Sequence, residues 1–270
     1  GKLWTLSENR TRKVCESAVP RFAGRLLAPL ACFVVAMKDY LISVIVPTYN
    51  SAGTLKLLLE SLKKQSYRNF EIVLVDKNST DKTVEIAKEY GCRIVYDAGL
   101  IHEARNAGAR EARGEYLLNI DSDHELEPEV LKECCEMANA GTKMAEIPEL
   151  VLAEGFWGRC RQLEARCYIG DDTIESPRFI EKKLFDDVGG YTSGDAEDWD
   201  LRERLFKLGY RLDRTKSHKL HHEGRVRLGK RLRKKFIYTG HISTYLKRNT
   251  GTAVAQIPLF RAAFFRNAGL

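Results

Sequence analysis

No apolar run in this sequence approaches the roughly 18 residues needed to cross a bilayer as a helix. The longest candidate, Leu26 to Met37, is too short and is broken by Pro29. None of the seven cysteines stands in a Cys-x-x-Cys pair of zinc-site spacing. Their odd number, the adjacent Cys134-Cys135 and the helical spacing of Cys160 and Cys167 read as buried free thiols in a reducing compartment, and the cytosol fits best. Internal repeats and low-complexity linkers are also missing, which excludes solenoids and disordered arrays. What remains is 44% hydrophobic and 30% charged, an ordinary globular composition. The 270 residues suffice for one substantial core and a small appended lobe.

The formal net charge of +7 is unevenly spread. From Leu201 to Arg248 there are 16 Lys or Arg against Glu203, Asp213 and Glu223, a local charge of +13 that leaves −6 for the rest of the chain. Such a region favours phosphate, on a nucleotide, a lipid-linked acceptor or an anionic membrane surface, although a solvated helix face would look the same. Nucleic acid is not expected, because the seven basic residues of Arg225–Lys235 precede Phe236 with no interleaved aromatic for base stacking. Three segments follow: an N-terminal extension over 1–36, a main domain over 37–225, and a basic, helical region over 226–270. Met37 directly before the first convincing strand would suit a natural start.

Leu41–Pro47 is a continuous apolar run, the pattern of a strand covered on both faces, as parallel sheets require. Ser51 is placed to cap a helix bearing Leu55, Leu58, Leu59 and Leu62 on one face. Phe70–Val75 reads as a second strand, followed by a helix over Asp81–Tyr90 capped by Ser79 or Thr80. Arg93–Tyr96, a helix over His102–Arg113, the strand Tyr116–Ile120 and a helix opened by Pro128 complete the alternation. Strand–helix alternation predicts an α/β fold with a mostly parallel central sheet and helices on both faces, plus a smaller, less regular region. Ligands of such sheets bind beyond the carboxyl ends of the strands. The clusters Thr48–Asn50, Asp76–Thr80 and Asp121–Asp123 all follow strand ends, so three polar groups converge on one edge. The second half is less regular: a helix over Gly155–Gly170, a turn at Gly189-Gly190-Tyr191, a helix over Ala196–Leu208, short strands at Tyr210–Leu212 and His218–His221, and a basic helix over Leu228–Leu246.

In Asp121-Ser122-Asp123 the two carboxylates lie two residues apart, so in extended chain they face one way and address one hard cation or one ribose–diphosphate unit. Glu197-Asp198 opens a helix, where an acid can simply complement the dipole, but a carboxylate there can also take the proton of an attacking hydroxyl. Trp199 and Tyr191 could wall a sugar ring. His221 and His222 point to opposite faces of a strand, so at most one of them meets the same site.

In this order, the segments Ile42–Asn50, Val75–Asp81, Arg105–Arg110, Asp121–Asp123, Gly189–Tyr191 and Glu197-Asp198 resemble the family 2 glycosyltransferases of the GT-A fold, over about Tyr40 to Lys247. The resemblance implies that Pro47, Tyr49 and Asp76 hold the base and ribose of a UDP- or GDP-sugar, with Arg105 nearby. Asp121 and Asp123 would serve the metal–diphosphate site with Mn2+ or Mg2+, Asp123 as the direct ligand and His221 or His222 at the diphosphate end. Asp198 would be the base, beside Glu197, in a single inverting displacement. The acceptor would be a glycan or a lipid-linked sugar, met at the cytosolic face of a membrane, with its recognition in the irregular stretch Glu146–Thr192. Two departures are visible. Lys77 stands where the family often has a second acid, which weakens a preference for uridine, and no Gln-x-x-Arg-Trp element of processive synthases is present. A nucleotidyltransferase would need a Gly-rich basic loop after the first strand, and Thr48–Gly53 carries no cation. The remaining alternative is a non-catalytic nucleotide-sugar or anionic-lipid binding module on the same scaffold.

Overall fold

The computed structural model describes residues 37–192 and 196–226 and the isolated positions 229 and 233. The extension expected over 1–36 and nearly all of the basic region expected over 226–270 lie outside the described residues.

The first part alternates as its apolar runs require: β1 (Ile42–Thr48), α1 (Leu55–Lys63), β2 (Phe70–Asp76), α2 (Thr83–Glu89), β3 (Arg93–Tyr96), α3 (Ile101–Glu111) and β4 (Tyr116–Asn119). There follow β5 (His124–Leu126), α4 (Val130–Asn139), β6 (Met144–Glu146), β7 (Glu149–Glu154), α5 (Gly155–Tyr168), β8 (Phe179–Glu181), α6 (Lys182–Asp187), α7 (Glu197–Lys207), β9 (Asp213–Arg214) and β10 (Lys219–Arg225). A seven-stranded sheet runs β3-β2-β1-β4-β8-β6-β9. Its β3-β2-β1-β4 half is wholly parallel, and β8 is antiparallel to both β4 and β6. A smaller sheet, β5-β10-β7, stands apart from it.

The buried run of β1 is used on both faces. Ile42, Val44 and Val46 join the leucines of α1 and the apolar side of α4, whereas Ile45 packs with Val73, Val75 and Leu117 beneath α3, α6 and α7. The polar member of the run, Ser43, is satisfied: its hydroxyl donates to Glu71 at 2.7 Å and accepts from the Gly114 amide at 2.8 Å. Helix α3 approaches the sheet at Gly108, where a Cβ would lie 2.5 Å from Ile45 and 3.0 Å from Val75. That close seat fixes the depth at which Arg105, one turn earlier, enters the interior. Because β2 and β4 flank β1 on opposite sides, the strand order reverses there, and the carboxyl ends of β1 and β4 form the switch point at which ligands of such sheets bind.

Several local expectations are corrected. Ser51 does not cap α1 with its side chain; Thr54 is the N-cap residue, and the Ser51 carbonyl accepts the Thr54 and Leu55 amides at 3.0 and 2.9 Å. Neither Ser79 nor Thr80 caps α2, which starts after Lys82, with Asp81 accepting the Thr83 amide at 3.0 Å. The short strand expected at Tyr210–Leu212 falls instead at Asp213–Arg214. The stretch Glu146–Thr192, read as irregular, holds β7, α5, β8 and α6. Of the described cysteines, Cys134, Cys135 and Cys167 are buried, Cys92 is half-buried and Cys160 is exposed on α5.

Candidate active site

The three loops at the carboxyl edge are tied to one another. The Asn50 amide donates to Ser79 Oγ at 2.8 Å, the Thr80 amide donates to Asn50 Oδ1 at 2.9 Å, and Ser122 Oγ donates to Ser51 Oγ at 2.9 Å. Asn50 and Asn78 both take positive φ, 48° and 53°, which a short amide side chain tolerates better than most residues. Asp76 is fully buried: it accepts the Thr48 hydroxyl at 3.0 Å, the Ser79 amide at 2.7 Å and the Ser79 hydroxyl at 2.6 Å. It therefore holds the shape of this edge. Tyr49 stands exposed beside it, Pro47 is half-buried at the end of β1, and the Lys77 amide donates to the Thr48 carbonyl at 2.9 Å.

Arg105 joins two of the expected acidic groups. Its side chain is 2% exposed, with Nη2 2.9 Å from Asp121 and Nη1 3.0 Å from Asp198 and 3.4 Å from Glu197. A second guanidinium, Arg178 from the loop before β8, lies 3.1 Å from the other oxygen of Asp198. Burial alone would raise Asp121, but Arg105 and Arg178 hold it well below the usual carboxylate range. Glu197 is pushed up, by burial and then by the neighbouring Asp198 charge. Tyr191 packs under the first of these guanidiniums, with Arg105 5.4 Å from its ring centroid.

Asp123 turns the other way, toward the small sheet. His221 on β10 is directly opposite His124 on β5, so both imidazoles stand on one face, their ring centroids 4.9 Å apart. Asp123 lies 3.4 Å from His124 Nδ1 and 3.3 Å from His221 Nε2. Glu149, opening β7, lies 3.6 Å from His124 Nε2 and 3.5 Å from His221 Nδ1. The hydrogen-bonding contact with His221 lowers Asp123; Glu149 falls well below its ordinary value against burial, drawn down by the two imidazoles. Burial disfavours charge on His221, yet Asp123 and Glu149 outweigh it and bring the imidazolium up to about 10. His222 faces away and meets Glu125 at 2.8 Å.

This cluster fits a divalent cation. Donor atoms of His124, Glu149 and His221 all lie within 4.8 Å of one another, and ligands on a metal at about 2.1 Å stand about 3 Å apart. His124 is 4% exposed, and its ring nitrogens, 3.4 Å from Asp123 and 3.6 Å from Glu149, form no close hydrogen bond, which leaves a nitrogen to face a cation. Asp121, which the spacing grouped with Asp123, is instead turned onto Arg105.

Sequence reasoning missed His124, Glu149 and Arg178. His124 immediately follows Asp123, and its position two residues before the apolar Leu126 was a weak strand signal. Glu149 precedes the alternating Leu150-Val151-Leu152, a pattern that could have been read as a strand. Nothing in the sequence around Arg178 marked it.

Comparison with known proteins now decides the lineage. The Glycosyl transferase family 2 model matches residues 43–201, more than half of the chain. The chain belongs to glycosyltransferase family 2. Over 100 residues, 34% of this family 2 chain and 18% of the relative, it is 39% identical to Poly(ribitol-phosphate) beta-N-acetylglucosaminyltransferase TarS of Staphylococcus aureus. An uncharacterized glycosyltransferase of Haemophilus influenzae is 27% identical over 184 residues, 62% of each chain. The crystal structure of S. aureus TarS 1-349 in complex with UDP-GlcNAc superposes with a TM-score of 0.55 at 25% identity, over 67% of this chain and 58% of that one. Mannosyltransferase PcManGT from Pyrobaculum calidifontis, in complex with GDP-Man and Mn2+, gives 0.55 at 20% identity, over 68% and 56%. The family 2 chain thus covers less than two thirds of the lengths of these relatives, and its fold is the GT-A arrangement they share.

Proposed function

We propose that this protein transfers a sugar from a UDP- or GDP-sugar to a hydroxyl of a glycan or lipid-linked acceptor, with inversion at the anomeric carbon. The observation that carries the reading is the chain of contacts Asp121–Arg105–Asp198, which holds the carboxylate after β4 and the carboxylates of α7 on one buried guanidinium beside the His124–Glu149–His221 cluster. Pro47, Tyr49 and the loop organised by Asp76 receive the base and ribose. His124, Glu149, His221 and Asp123 hold Mn2+ or Mg2+, whose charge when bound offsets that of the departing diphosphate. Arg105 keeps Asp121 and Asp198 in place. Asp198 takes the proton of the acceptor hydroxyl as its oxygen bonds to the anomeric carbon, and the electron pair of the broken carbon–oxygen bond leaves with the diphosphate. Glu197 lies beside the base, 3.4 Å from the same Arg105 guanidinium.

A panel of UDP-, GDP- and dTDP-sugars, each with Mn2+, Mg2+ or chelator, tests the reading through binding and slow donor hydrolysis. Metal-dependent selection of one donor, lost in Asp123→Ala, is the expected result. No binding to any donor by folded protein would return the chain to the binding-module alternative, on a ligand outside this panel.

The enzyme acts in the cytoplasm at an anionic membrane surface. Support comes from the basic stretch in the sequence and from α5, where Phe156, Trp157 and Leu163 stand exposed among the exposed Arg159 and Arg166. No helix among the described residues is long and apolar enough to cross a membrane.

A further inference from the structure

The small sheet supplies one residue to the cation cluster from each of its strands: His124 from β5, His221 from β10 and Glu149 from β7. Two of these strands are joined by a side chain that belongs to neither. Arg161 on α5 puts Nη2 3.1 Å from Glu149 Oε1 and Nε 2.9 Å from Glu223 Oε1 on β10. Its own side chain is only 14% exposed.

The backbone is shaped to bring these groups together. In the parallel pairing of β10 with β7, His222 stands opposite Leu152 and Gly224 opposite Ala153, so Glu223 is the extra residue of a bulge. A bulge re-aims the side chain it carries, and Gly224 completes the bend at a positive φ of 59°. Helix α5 is seated closely on the end of β7. A Cβ on Gly158 would lie 2.8 Å from the Ala153 carbonyl carbon, and Gln162 Nε2 donates to the Ala153 carbonyl oxygen at 2.8 Å. Arg161, between those two anchors on the helix, reaches back along β7 to Glu149.

What the contact does follows from the oxygen it takes. Glu149 Oε1 accepts from Arg161, while Oε2 faces His124 Nε2 at 3.6 Å. The guanidinium ties down one oxygen and leaves the other for a cation. By charge alone Arg161 would be a poor neighbour for a metal. Glu223 removes that objection, because it lies closer to Arg161 than Glu149 does: the Arg161–Glu223 pair is neutral together, and Glu149 keeps its own charge. The same pairing keeps Glu223 3.9 Å from His221 Nδ1, beyond hydrogen-bond reach.

A carboxylate limited to one oxygen does not suit all cations equally. A compact cation such as Mg2+ or Mn2+ takes six ligands, about 2.0–2.1 Å away for Mg2+, whereas Ca2+ takes about six to eight at about 2.3–2.6 Å and accepts both oxygens of one carboxylate. We propose that Arg161 is a positioning residue for the metal centre: by holding one oxygen of Glu149 it makes that carboxylate a one-oxygen ligand and selects a compact, six-coordinate cation over Ca2+. The proposal rests on the metal site of the transferase reading above and assigns that site a selectivity determinant.

Isothermal titration of the intact, metal-free chain with Mn2+ and with Ca2+ tests it. In Arg161→Gln the Mn2+ Kd should rise by about 10–100-fold, the usual cost of losing the partner of a metal ligand. The Ca2+ Kd should change much less, so the preference for Mn2+ falls by about tenfold or more. Arg161→Lys keeps the charge without the planar fork that spans both acids, and should show most of the same loss. A simple charge effect gives the opposite pattern, with tighter Mn2+ binding in Arg161→Gln and wild-type behaviour in Arg161→Lys. Either of those results, an unchanged Mn2+ Kd, or equal losses for the two cations would overturn the proposal. If Arg161→Gln does not fold, the comparison of Arg161→Lys with wild type decides alone. No Mn2+ binding by the wild-type chain would instead remove the metal site on which the proposal depends.

Discussion

Arg105 Nη1 lies 3.0 Å from Asp198 Oδ1, and with Arg178 at 3.1 Å on the second oxygen the carboxylate proposed as base is held from both sides. Such a clamp fixes orientation at the expense of freedom, since an acceptor hydroxyl must share an oxygen with a guanidinium. Asp198→Asn keeps the shape and removes the proton acceptor. Its kcat should fall by about 10²–10⁴, the usual worth of a general base, with donor KM little changed. Glu197→Gln, which gives up only a 3.4 Å contact with Arg105, should lose much less. Steady-state kinetics on both variants check the order, and a larger loss for Glu197→Gln would exchange the two roles.

The ligand set makes a prediction about the metal. Two imidazoles and two carboxylates are a donor set for a cation that accepts nitrogen, whereas Mg2+ prefers an all-oxygen shell. Mn2+ should therefore support donor binding at lower concentration than Mg2+, and His124→Ala should raise the Mn2+ Kd by at least about 10–100-fold. Isothermal titration measures both. Proton competition adds a pH signature. His221 holds its proton up to about 10 in the metal-free protein, against 6.5 ordinarily, because Asp123 and Glu149 face it. The folded form thus binds a proton that the unfolded chain releases: this stabilisation is complete below 6.5 and is lost as pH rises through about 10. A cation must displace that proton, so Mn2+ affinity should increase with pH across the same window and proton release should accompany binding. A pH-independent affinity would argue that His221 is not a ligand.

How far the sequence could be read follows from the range of each interaction. Strands β1, β2 and β4 were visible because a continuous apolar run is written locally, as in Ile42-Ser43-Val44-Ile45-Val46, and the half-buried edge strand β3 because Ile94-Val95-Tyr96 is a short run of strand-forming residues. Asp121, Asp123 and Glu197-Asp198 were visible because they sit at the ends of those elements or at a helix start. His124 and Glu149 were not, since β5 has three residues and gains its partner only by pairing with β10, far along the chain. Arg178 likewise acquires meaning only through the fold, when the loop before β8 brings it to Asp198. The cap assignments failed for a different reason. Ser51, Ser79 and Thr80 have cap chemistry, but their polar groups are spent tying the loops at the carboxyl edge to one another.

The close seat of α3 gives a stability prediction. At Gly108 a Cβ would stand 2.5 Å from the Ile45 side chain and 3.0 Å from that of Val75, in a core with no slack between helix and sheet. Gly108→Ala gains helix propensity but must push α3 outward, and overpacking of this kind costs about 1–3 kcal/mol. Urea unfolding should show the loss. Because Arg105 rides on the same helix, kcat should fall more than the population of unfolded protein explains. A stabilised Gly108→Ala protein would mean that the sheet yields.

The exposed face of α5 carries the membrane proposal to a measurement. Phe156 and Trp157 are 62% and 46% exposed, and Arg159 and Arg166 stand exposed on the same helix. An aromatic pair flanked by arginines suits the boundary between headgroups and acyl chains, where the rings lose water and the guanidiniums stay near phosphates. Sinking one such ring contributes about 1.5–3 kcal/mol if burial is full, so even partial insertion of two is worth a tenfold change in partitioning. Phe156→Ser combined with Trp157→Ser should weaken binding to phosphatidylserine-containing vesicles by about tenfold or more, leaving the salt dependence in place because the arginines remain. Phosphatidylcholine vesicles should bind the wild-type chain weakly, since the rings alone lack the electrostatic component. If the double variant sediments with anionic vesicles as well as the wild type does, the aromatics do not enter the bilayer and α5 is an ordinary solvated helix.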